Sequence, residues 1–455
     1  MTHLTCFKSY DIRGRLGHDL DAGIAHRIGR AFADVMTPGT VVLGRDCRAS
    51  SLDLQDALAA GLMEGGADVA DIGLCGTEEV YFATDHLGAG AGLMVTASHN
   101  PIDYNGIKLV REGSRPISGD NGLLEIKARA EEDMPPPAAI RGTLETRDPR
   151  AAYVDRVLSF ITPSDLAPLK VLVNAGNGSA GPTFDAIADA LARAGAPLSF
   201  IRMHHDPDGS FPNGIPNPLL PENQPMTADA VRQHGADIGI AWDGDFDRCF
   251  LFDETGAFID GEYIVGLLAA AFLAREPGAR IVHDPRVVWN TQDIVAGMGG
   301  EAVVSRTGHA LIKARMREVD AVYGGEMSAH HYFRNFMYCD SGMIPWLLVL
   351  DHMSRTGRAL SDLVADRKAR FPSSGEINFR LRDADAALAA FEAEYLDQAA
   401  HVDRLDGLSL DFGDWRANLR KSNTEPVLRL NVETRGDRAL LEARVAAIRA
   451  LVETA

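Results

Sequence analysis

Hydrophobic and polar positions alternate between two patterns along the chain. Short runs rich in β-branched residues, such as Thr40–Gly44 and Ala67–Ile72, are typical of buried strands. The segment between them, Leu52–Glu64, places apolar residues at helical spacing. Further strand-like runs occur at Gly92–Val95 and Ile238–Trp242. Because strands that alternate with helices form parallel or mixed sheets, the pattern predicts α/β domains for most of the chain.

The same pattern divides the chain into four segments. A proline run at 135–137 predicts a surface connection near the end of the first segment. From residue 371 onwards the order changes to a strand, a helix (Ala384–Tyr395), three strands and a final helix, which predicts a small α+β domain. The predicted fold is therefore three mixed-sheet α/β domains followed by a smaller C-terminal α+β domain. The predicted domains span residues 1–148, 149–256, 257–370 and 371–455.

Composition excludes several classes of protein. Asp and Glu outnumber Lys and Arg by 64 to 45, and a net charge of −19 argues against a general nucleic-acid or anionic-membrane binder. No apolar run reaches the roughly 18–20 residues of a membrane span, and the first residues lack the apolar region of a signal peptide. Five scattered cysteines without CxxC spacing indicate reduced thiols and a cytoplasmic protein. An anionic substrate would then need positive charge concentrated at its site.

The most distinctive chemical motif is DGDFDR at residues 243–248. In an extended segment the carboxylates of Asp243, Asp245 and Asp247 would lie on one side, and three hard oxygen donors favour Mg²⁺. Gly244 could adopt an unusual backbone angle that draws them together, and Arg248 could hold a phosphate that also touches the metal. The alternative is an acidic turn without a metal. An EF-hand is excluded because Arg248 occupies the position of its invariant glycine and a strand-like run follows.

Ser98 within TASHNP is the second candidate. It follows a buried strand, where α/β folds place ligand-facing residues. No GxSxG surrounds it, so a hydrolase nucleophile elbow is not indicated. A serine hydroxyl can accept and donate a phosphoryl group, with His99 and Lys108 as candidates for proton transfer and charge. The alternative is a helix N-cap.

Two further polar motifs and two glycine-rich segments have simpler interpretations when taken alone. RKSNTEP at 420–426 offers an arginine, short polar side chains and backbone N–H groups for an anion, or forms a polar turn. GEMSAHH at 325–331 could bind sugar hydroxyls or form a turn with incidental polar groups. Asn174–Gly181 lacks the Lys-Ser/Thr of a P-loop and is interpreted as a tight turn into a helix. Asp206–Glu222 is interpreted as an ordered structural loop.

Taken together, the motifs resemble one family. In order and spacing the chain is similar to the α-D-phosphohexomutases, and the similarity covers nearly its whole length. The motifs that carry it are FKSYDIRG at 7–14, TASHNP at 96–101 with DYNGIK at 103–108, DGDFDR at 243–248, TGH at 307–309, GEMSAHH at 325–331 and RKSNTEP at 420–426. The Glu-Met-Ser loop resembles the phosphomannomutase/phosphoglucomutase branch. Residues 323–333 are most similar to bacterial phosphomannomutases of the GDP-mannose pathway.

The resemblance implies four domains around a central cleft and a role for each motif. It implies a phosphoserine at Ser98 and Mg²⁺ bound by the seryl phosphate together with Asp243, Asp245 and Asp247. Lys108 and His330 are the candidates for proton transfer. The implied sugar contacts are Glu326 and Ser328. The implied phosphate contacts are Arg420, Ser422, Asn423 and Thr424. The other matched cleft positions are Tyr10, Arg13, His99, Arg248, Arg286 and His309. Relatives often carry Lys in place of Arg286 and Gly in place of Ala329, which leaves the preferred sugar open.

The activity implied is reversible phosphoryl transfer between O1 and O6 of mannose phosphates. The implied intermediate is a hexose 1,6-bisphosphate, which would also act as an activator. The expected partner is a small phosphosugar, with no nucleic acid or membrane, and the expected state is a monomer or homodimer. Alternatives are a phosphoglucomutase acting on glucose phosphates, a metal-dependent sugar phosphatase and a non-catalytic phosphosugar-binding protein.

Overall fold

The computed structural model describes residues 3–421 and 427–454. These residues form two compact units. Unit 1 consists of residues 3–258 and His330–Gly357, and unit 2 consists of Ile259–Ala329 and the described residues from 358 onwards. Each unit contains both sheets and helices.

Unit 1 begins with a seven-stranded mixed sheet. Its strands are β1 (Ile12–Arg15), β2 (Thr40–Arg45), β3 (Asp68–Leu74), β4 (Ala91–Val95), β5 (Tyr104–Arg111), β6 (Arg115–Pro116) and β7 (Leu144–Thr146). The order is β1-β5-β4-β2-β3-β7, with β6 beside β5. Strands β2, β3, β4 and β7 run parallel, whereas β5 is antiparallel to both β1 and β4. The carboxyl ends of β2 and β4 therefore meet at one edge, which brings the residues after each strand together.

Helices cover this first sheet. They are α1 (Ala22–Met36), α2 (Ser51–Glu64), α3 (Thr77–His86) and α4 (Leu123–Glu131). Asp21 caps α1 because its side chain accepts the N–H of Ile24. Helices α1 and α2 approach closely where α1 carries Gly29, since a Cβ there would lie 2.3 Å from the carbonyl oxygen of Leu58. The core between sheet and helices is apolar, with Phe32 and Leu43 fully buried.

A second mixed sheet follows in unit 1. Its strands are β8 (Leu169–Asn174), β9 (Leu198–Met203), β10 (Ile238–Trp242) and β11 (Cys249–Asp253), in the order β11-β10-β8-β9. Only β11 runs antiparallel among these four. The helices are α5 (Arg150–Leu158), α6 (Ala180–Arg193) and α7 (Gln224–His234). The short strand β12 (Phe258–Ile259) lies at the point along the chain where unit 1 gives way to unit 2.

Residues 330–357 complete unit 1. Strands β16 (His331–Phe333) and β17 (Cys339–Asp340) pair antiparallel, and α11 (Ile344–Thr356) follows them. The indole N–H of Trp242, at the end of β10, donates to the carbonyl oxygen of Gly342 at 2.9 Å. This hydrogen bond satisfies a polar atom that would otherwise be buried without a partner, and it ties the hairpin to the end of β10.

Unit 2 contains a parallel sheet and an antiparallel sheet. The first has the order β14-β13-β15, from β13 (Arg280–His283), β14 (Glu301–Val304) and β15 (Tyr323–Gly325). Its helices are α8 (Gly261–Arg275), α9 (Trp289–Gly297), α10 (His309–Val319) and α12 (Leu360–Arg370). The second has the order β18-β22-β21-β20-β19, from β18 (Ile377–Phe379), β19 (His401–Asp403), β20 (Leu408–Asp411), β21 (Trp415–Lys421) and β22 (Leu428–Thr434). Helices α13 (Ala384–Tyr395) and α14 (Arg438–Thr454) pack on it.

The described residues also contain five single turns of 3-10 helix: Glu112–Ser114, Pro163–Asp165, Pro221–Asn223, Arg334–Phe336 and Leu396–Gln398. The predicted fold class is confirmed, with strands alternating with helices through most of the chain and a smaller antiparallel sheet at its end. Strand Ile238–Trp242 and helix Ala384–Tyr395 match their predicted bounds, and most other predicted elements differ by one to three residues at their ends. Across residues 3–421 and 427–454, helices are too short or too polar to cross a bilayer.

Candidate active site

The DGDFDR motif forms a tight turn between β10 and β11. The N–H of Phe246 donates to the carbonyl oxygen of Asp243 at 3.1 Å, and Phe246 adopts a left-handed conformation with φ 45°. The prediction of an extended segment was therefore wrong, because the backbone turns within the motif. The prediction for Gly244 was also wrong, since the left-handed residue is Phe246.

Glycine at position 244 has a different role, which is to let the aspartate loop approach the Ser98 loop closely. A Cβ at Gly244 would lie 2.6 Å from the carbonyl oxygen of Ser98, a distance at which something must shift. The carbonyl oxygen of Gly244 also accepts the N–H of Ser179 at 2.9 Å. The glycine-rich turn at Asn174–Gly181 thus leads into α6, as predicted, and also supports the aspartate loop.

The three aspartates of this loop are a candidate cation site. Asp243, Asp245 and Asp247 are buried, and each offers a carboxylate oxygen within 4.8 Å of the others. The Oδ1 atoms of all three are buried, and none has a hydrogen-bond partner in the described part of the chain. Three convergent oxygens without donors are expensive to bury unless a cation compensates them. The donor set and these Oδ1 atoms fit Mg²⁺, which prefers carboxylate oxygens.

Lys108 supplies positive charge to the aspartate cluster. Its Nζ lies 2.6 Å from Oδ2 of Asp245 and 2.5 Å from Oδ2 of Asp247. Burial lowers the pKa of Lys108, but the charges of these two aspartates outweigh burial and hold the pKa above its ordinary value. Burial likewise raises the pKa of Asp245, and the charge and hydrogen bond of Lys108 reverse that effect to a net lowering. Asp243 lies 3.6 Å from Nε of Arg248, but burial and the charges of Asp247 and Asp245 outweigh this cation and raise the pKa of Asp243.

Ser98 lies against this cluster. Its Oγ donates to Oδ2 of Asp243 at 2.7 Å and lies 2.9 Å from Nδ1 of His99. Its own N–H donates to Oγ1 of Thr96 at 2.8 Å, and its φ of 48° is left-handed. The helix N-cap alternative is wrong, because the next element is strand β5. Strain of this kind at a buried non-glycine residue persists only where the surroundings hold it, and it is common at functional sites.

His99 is a neutral neighbour of the serine. Burial lowers its pKa well below the ordinary value, and the positive charges of Arg248 and Arg13 lower it further. Arg13 donates to the Ala97 carbonyl oxygen at 2.9 Å and to the side chain of Asn100, which fixes the chain on both sides of Ser98. Its charge is balanced by Asp11, whose Oδ2 lies 2.8 Å from Nε. Tyr10 is half-buried in the bend before β1.

His330 is held by two charged neighbours. Its Nε2 accepts from Nε of Arg248 at 2.9 Å, and its Nδ1 lies 3.0 Å from Oδ2 of Asp340. Because a guanidinium can only donate, this arrangement leaves the lone pair on Nε2 and the proton on Nδ1. Burial lowers the pKa of His330, while Asp247 and the hydrogen bond with Asp340 raise it above its ordinary value.

In unit 2, Arg286 contacts both predicted sugar-binding residues. Its Nη2 lies 3.2 Å from Oγ of Ser328 and 3.5 Å from Oε2 of Glu326. The same nitrogen lies 2.7 Å from Oδ2 of Asp284, which follows β13. Burial lowers the pKa of Arg286, but Asp284 and Glu376 raise it above its ordinary value. The structure therefore brings together Arg286, Glu326 and Ser328, three of the residues that the resemblance implied as substrate contacts.

Arg420 lies at the end of β21, in a cluster of arginines around Glu376. Oε2 of Glu376 lies 3.4 Å from Nη2 of Arg420 and 3.2 Å from Nη1 of Arg286, and its Oε1 lies 3.4 Å from Nη1 of Arg429. Ser422, Asn423 and Thr424 lie outside the described residues. His309 is half-buried and begins α10.

Sequence reasoning missed several residues of these two clusters. They are Arg48, Thr77, Asp284, Asp340 and Glu376. Thr77 begins α3, and its Oγ1 donates to Oδ2 of Asp245 at 2.6 Å. Asp284 directly follows strand β13, and Arg48 lies three residues beyond the end of β2. Their position at the carboxyl end of a parallel strand is the signal that could have identified them.

Comparison with known proteins identifies the family. Four consecutive profiles of phosphoglucomutase/phosphomannomutase match the chain. They describe alpha/beta/alpha domain I at residues 5–135, domain II at 151–256, domain III at 260–371 and the C-terminal domain at 376–451. The chain belongs to the phosphoglucomutase/phosphomannomutase family. The family predicted from the motifs is thereby confirmed, and the protein is an isomerase of the phosphohexomutase type.

Full-length relatives agree with this assignment. The chain is 60% identical over 456 residues to a protein of Salmonella montevideo named phosphomannomutase, with complete coverage of both chains. It is 58% identical over 441 residues to a Xanthomonas campestris protein named phosphohexose mutases, with 97% of each chain covered. A crystal structure of a phosphoglucomutase/phosphomannomutase family protein from Burkholderia thailandensis matches with a TM-score of 0.87 at 33% identity, covering 100% of this chain and 98% of that one.

Proposed function

We propose that this chain is a phosphomannomutase, which interconverts mannose 6-phosphate and mannose 1-phosphate through a phosphoserine enzyme and a hexose 1,6-bisphosphate. The observation that carries the proposal is the contact of 2.7 Å between Oγ of Ser98 and Oδ2 of Asp243, within a cluster of three buried aspartates. Full-length relatives at 58–60% identity that are named phosphomannomutase support the choice of sugar.

Mg²⁺ is the proposed metal. Asp243, Asp245 and Asp247 would bind it together with the phosphate on Ser98, and the bound ion supplies positive charge that stabilises a phosphoryl group during transfer. Their unpartnered Oδ1 atoms support this assignment. Lys108 adds a fixed positive charge beside two of the three carboxylates. An acidic protein thereby keeps cationic groups where a phosphate must react.

Ser98 carries the phosphoryl group in this proposal. Asp243 accepts the hydrogen bond of the serine hydroxyl, and neutral His99 offers a second acceptor at Nδ1. His330 is the proposed acceptor of the sugar hydroxyl proton, at Nε2, which would first have to release the hydrogen bond that it accepts from Arg248. Lys108 is protonated at neutral pH and is therefore a proton donor rather than a base in the arrangement observed.

The remaining predicted residues are the proposed substrate contacts. Glu326 and Ser328 bind sugar hydroxyls, with Arg286 between them as a shared donor. Arg420 and residues 422–424 bind the phosphate that is not being transferred. The other proposed contacts are Tyr10, Arg13, His99, Arg248 and His309. We also propose the domain bounds 1–148, 149–256, 257–370 and 371–455, activation by hexose 1,6-bisphosphate, and a cytoplasmic location.

The experiment measures both the isomerised sugar phosphate and any inorganic phosphate that is released. Purified protein with Mg²⁺ is supplied with mannose 1-phosphate, or with glucose 1-phosphate as comparator, and phosphorus NMR records 6-phosphate and inorganic phosphate. We expect the 6-phosphate without inorganic phosphate, faster turnover on mannose, and a phosphorylated Ser98 peptide. Ser98→Ala should lose turnover, whereas Ser164→Ala, at an exposed serine, should retain it. If inorganic phosphate is the main product, the protein is a phosphatase and the proposed mutase activity is wrong.

A further inference from the structure

Arg48 gathers the loop that carries Ser98. Its Nη2 donates to the carbonyl oxygens of Ser98 at 2.9 Å and Asn100 at 2.6 Å. Its Nη1 donates to those of Pro101 at 2.9 Å and Tyr104 at 3.1 Å. One buried guanidinium thus binds four carbonyl oxygens within seven residues of chain.

The geometry of the guanidinium suits this role. Arg presents several donors in a rigid planar fork, whereas the ammonium of Lys is a single point of charge on a flexible stem. The loop needs such a support because Ser98 is held at a φ of 48°, a conformation that costs free energy for a residue with a side chain. By fixing the carbonyl oxygen of Ser98 itself, Arg48 sets the peptide plane on the carboxyl side of this residue.

Arg48 is itself anchored. Its N–H donates to Oδ1 of Asp46 at 2.9 Å, and its Nε lies 3.6 Å from Oδ2 of the same carboxylate. Oδ1 of Asp46 also accepts Oγ–H of Ser51 at 2.5 Å, which ties the carboxylate to the first turn of α2. On the other side, Cζ of Arg48 lies 5.4 Å from the centre of the Phe211 ring, in the loop predicted to be structural.

We propose that Arg48 is a positioning residue for phosphoryl transfer, which holds Ser98 Oγ in line with the aspartate cluster through the loop backbone. The inference rests on the proposed function, in which Ser98 carries the phosphoryl group. A positioning role predicts a loss in the chemical step without a matching loss of substrate binding. A merely structural role predicts only a loss of stability.

A comparison with Arg30 distinguishes a positioning role of Arg48 from a merely structural one. Arg30 is also a buried arginine that donates to backbone carbonyl oxygens, those of Glu64 at 2.5 Å and Pro136 at 3.1 Å. It also pairs with Asp34 at 3.2 Å. None of these partners belongs to the Ser98 loop. Arg30→Lys therefore controls for the removal of a buried guanidinium from unit 1.

The test compares Arg48→Lys with Arg30→Lys and the wild type. Measured are kcat and KM for mannose 1-phosphate, the rate at which glucose 1,6-bisphosphate phosphorylates Ser98 as seen by intact mass, and thermal unfolding. For Arg48→Lys we expect kcat and the phosphorylation rate to fall on the order of tenfold to a hundredfold, the scale of a misplaced reacting group, with KM little changed. Arg30→Lys should lower Tm without lowering kcat. Equal kcat in all three proteins, or equal losses in both variants, would overturn the inference.

A second variant covers the case in which Arg48→Lys does not fold. Asp46→Asn combined with Arg48→Met leaves no unpaired buried charge, and Asp46→Asn alone is its reference. A folded double variant with reduced phosphorylation of Ser98 supports the inference, and one with the full rate overturns it. The wild-type arm tests the proposed function separately: a wild type that turns over without any phosphate on Ser98 refutes the phosphoserine mechanism, whatever Arg48 does.

Discussion

Nζ of Lys108 lies 2.6 Å from Oδ2 of Asp245, deep in the cluster that we propose binds Mg²⁺. The same ammonium lies 2.5 Å from Asp247, so one positive charge serves two carboxylates. The third, Asp243, accepts the hydroxyl of Ser98 at 2.7 Å and lies 3.6 Å from Nε of Arg248. An ammonium and a divalent cation beside the same carboxylates repel each other, and this repulsion has a measurable consequence.

Replacing Lys108 should strengthen metal binding while weakening catalysis. Lys108→Met removes the competing charge, so we expect Mn²⁺, used as a probe for Mg²⁺, to bind severalfold more tightly in calorimetry. At the same time kcat should fall on the order of a hundredfold, because a positive charge that we propose stabilises the phosphoryl group during transfer is lost. Without metal the variant should unfold at a lower temperature, since buried carboxylates lose their partner.

Lys170→Met is the control for the loss of one positive charge. Lys170 is exposed in unit 1, and its Nζ donates to the carbonyl oxygen of His234. This variant should keep the Mn²⁺ affinity of the wild type. Unchanged or weaker Mn²⁺ binding by Lys108→Met would show that the ammonium does not compete with the cation.

Gly244→Ala tests the contact between the aspartate loop and the Ser98 loop. The added Cβ would lie 2.6 Å from the carbonyl oxygen of Ser98 and 3.3 Å from its carbonyl carbon, so the two loops must separate. We expect kcat to fall on the order of tenfold or more. We also expect the free energy of unfolding to fall by about 1–3 kcal/mol, as for overpacked sites. Gly119→Ala, where the nearest atom is 3.7 Å from the new Cβ, should change neither quantity by much. Full activity of Gly244→Ala would mean that the approach is not needed for turnover.

The sequence predicted elements and motifs well because both depend on local patterns. The apolar run alone predicts Ile238–Trp242 as a buried strand, and the neighbouring aspartates predict Asp243 as a candidate metal ligand. The contact between Ser98 and Asp243 joins residues 145 positions apart, so no local pattern reports it. The resemblance to a family supplied that pairing.

Errors arose where backbone conformation depends on packing. The left-handed residue of the aspartate loop is Phe246, although glycine adopts such angles most readily and Gly244 was the natural expectation. At Gly244 the absence of a side chain lets the aspartate loop approach the Ser98 loop closely, and only the tertiary structure reveals this contact. Arg48 and Glu376 were missed for the same reason, since their partners lie in other elements.

Glu262 should make stability depend on pH. It is buried at the start of α8, and burial together with the charge of Asp260 raises the pKa of Glu262 to about 8. The unfolded chain has the ordinary value near 4.5, so between these values the folded state holds a proton that the unfolded state has lost. The contribution of Glu262 to the free energy of unfolding is therefore complete below about pH 4.5 and is lost as pH rises toward 8.

The measurement is urea unfolding of wild type and Glu262→Gln between pH 5 and pH 8. We expect the wild type to lose on the order of 2 kcal/mol relative to the variant across this range. Glu394→Gln, at an exposed glutamate of α13, should follow the wild type throughout. Parallel curves for wild type and Glu262→Gln would show that Glu262 titrates alike in both states.

Arg420→Ala should weaken the binding of the 1-phosphate and of the 6-phosphate by similar factors. The proposed reaction needs the sugar in two opposite orientations, and in each one the phosphate far from Ser98 must be bound. One charge-assisted hydrogen bond is worth about 1.5–3 kcal/mol. The KM for the 1-phosphate and the KM for the 6-phosphate should therefore each rise on the order of tenfold to a hundredfold. Phosphorylation of Ser98 should remain possible. A defect confined to one direction would mean that the two orientations use different phosphate contacts.

Glu376→Gln should strengthen the binding of phosphate, whereas Arg420→Ala should weaken it. Burial raises the pKa of Glu376, but the charges of Arg286, Arg429 and Arg420 outweigh burial, so the carboxylate is ionised at neutral pH and offsets part of their charge. Neutralising it raises the positive potential at Arg420, and inorganic phosphate should inhibit at a severalfold lower concentration. Stability should fall by about 1–3 kcal/mol, because the arginines lose a charged acceptor. Glu433→Gln is the control, since Glu433 is a buried partner of Arg416 at 3.1 Å in the same unit and should affect stability alone. If phosphate inhibits wild type and Glu376→Gln equally, Glu376 does not tune the charge of Arg420.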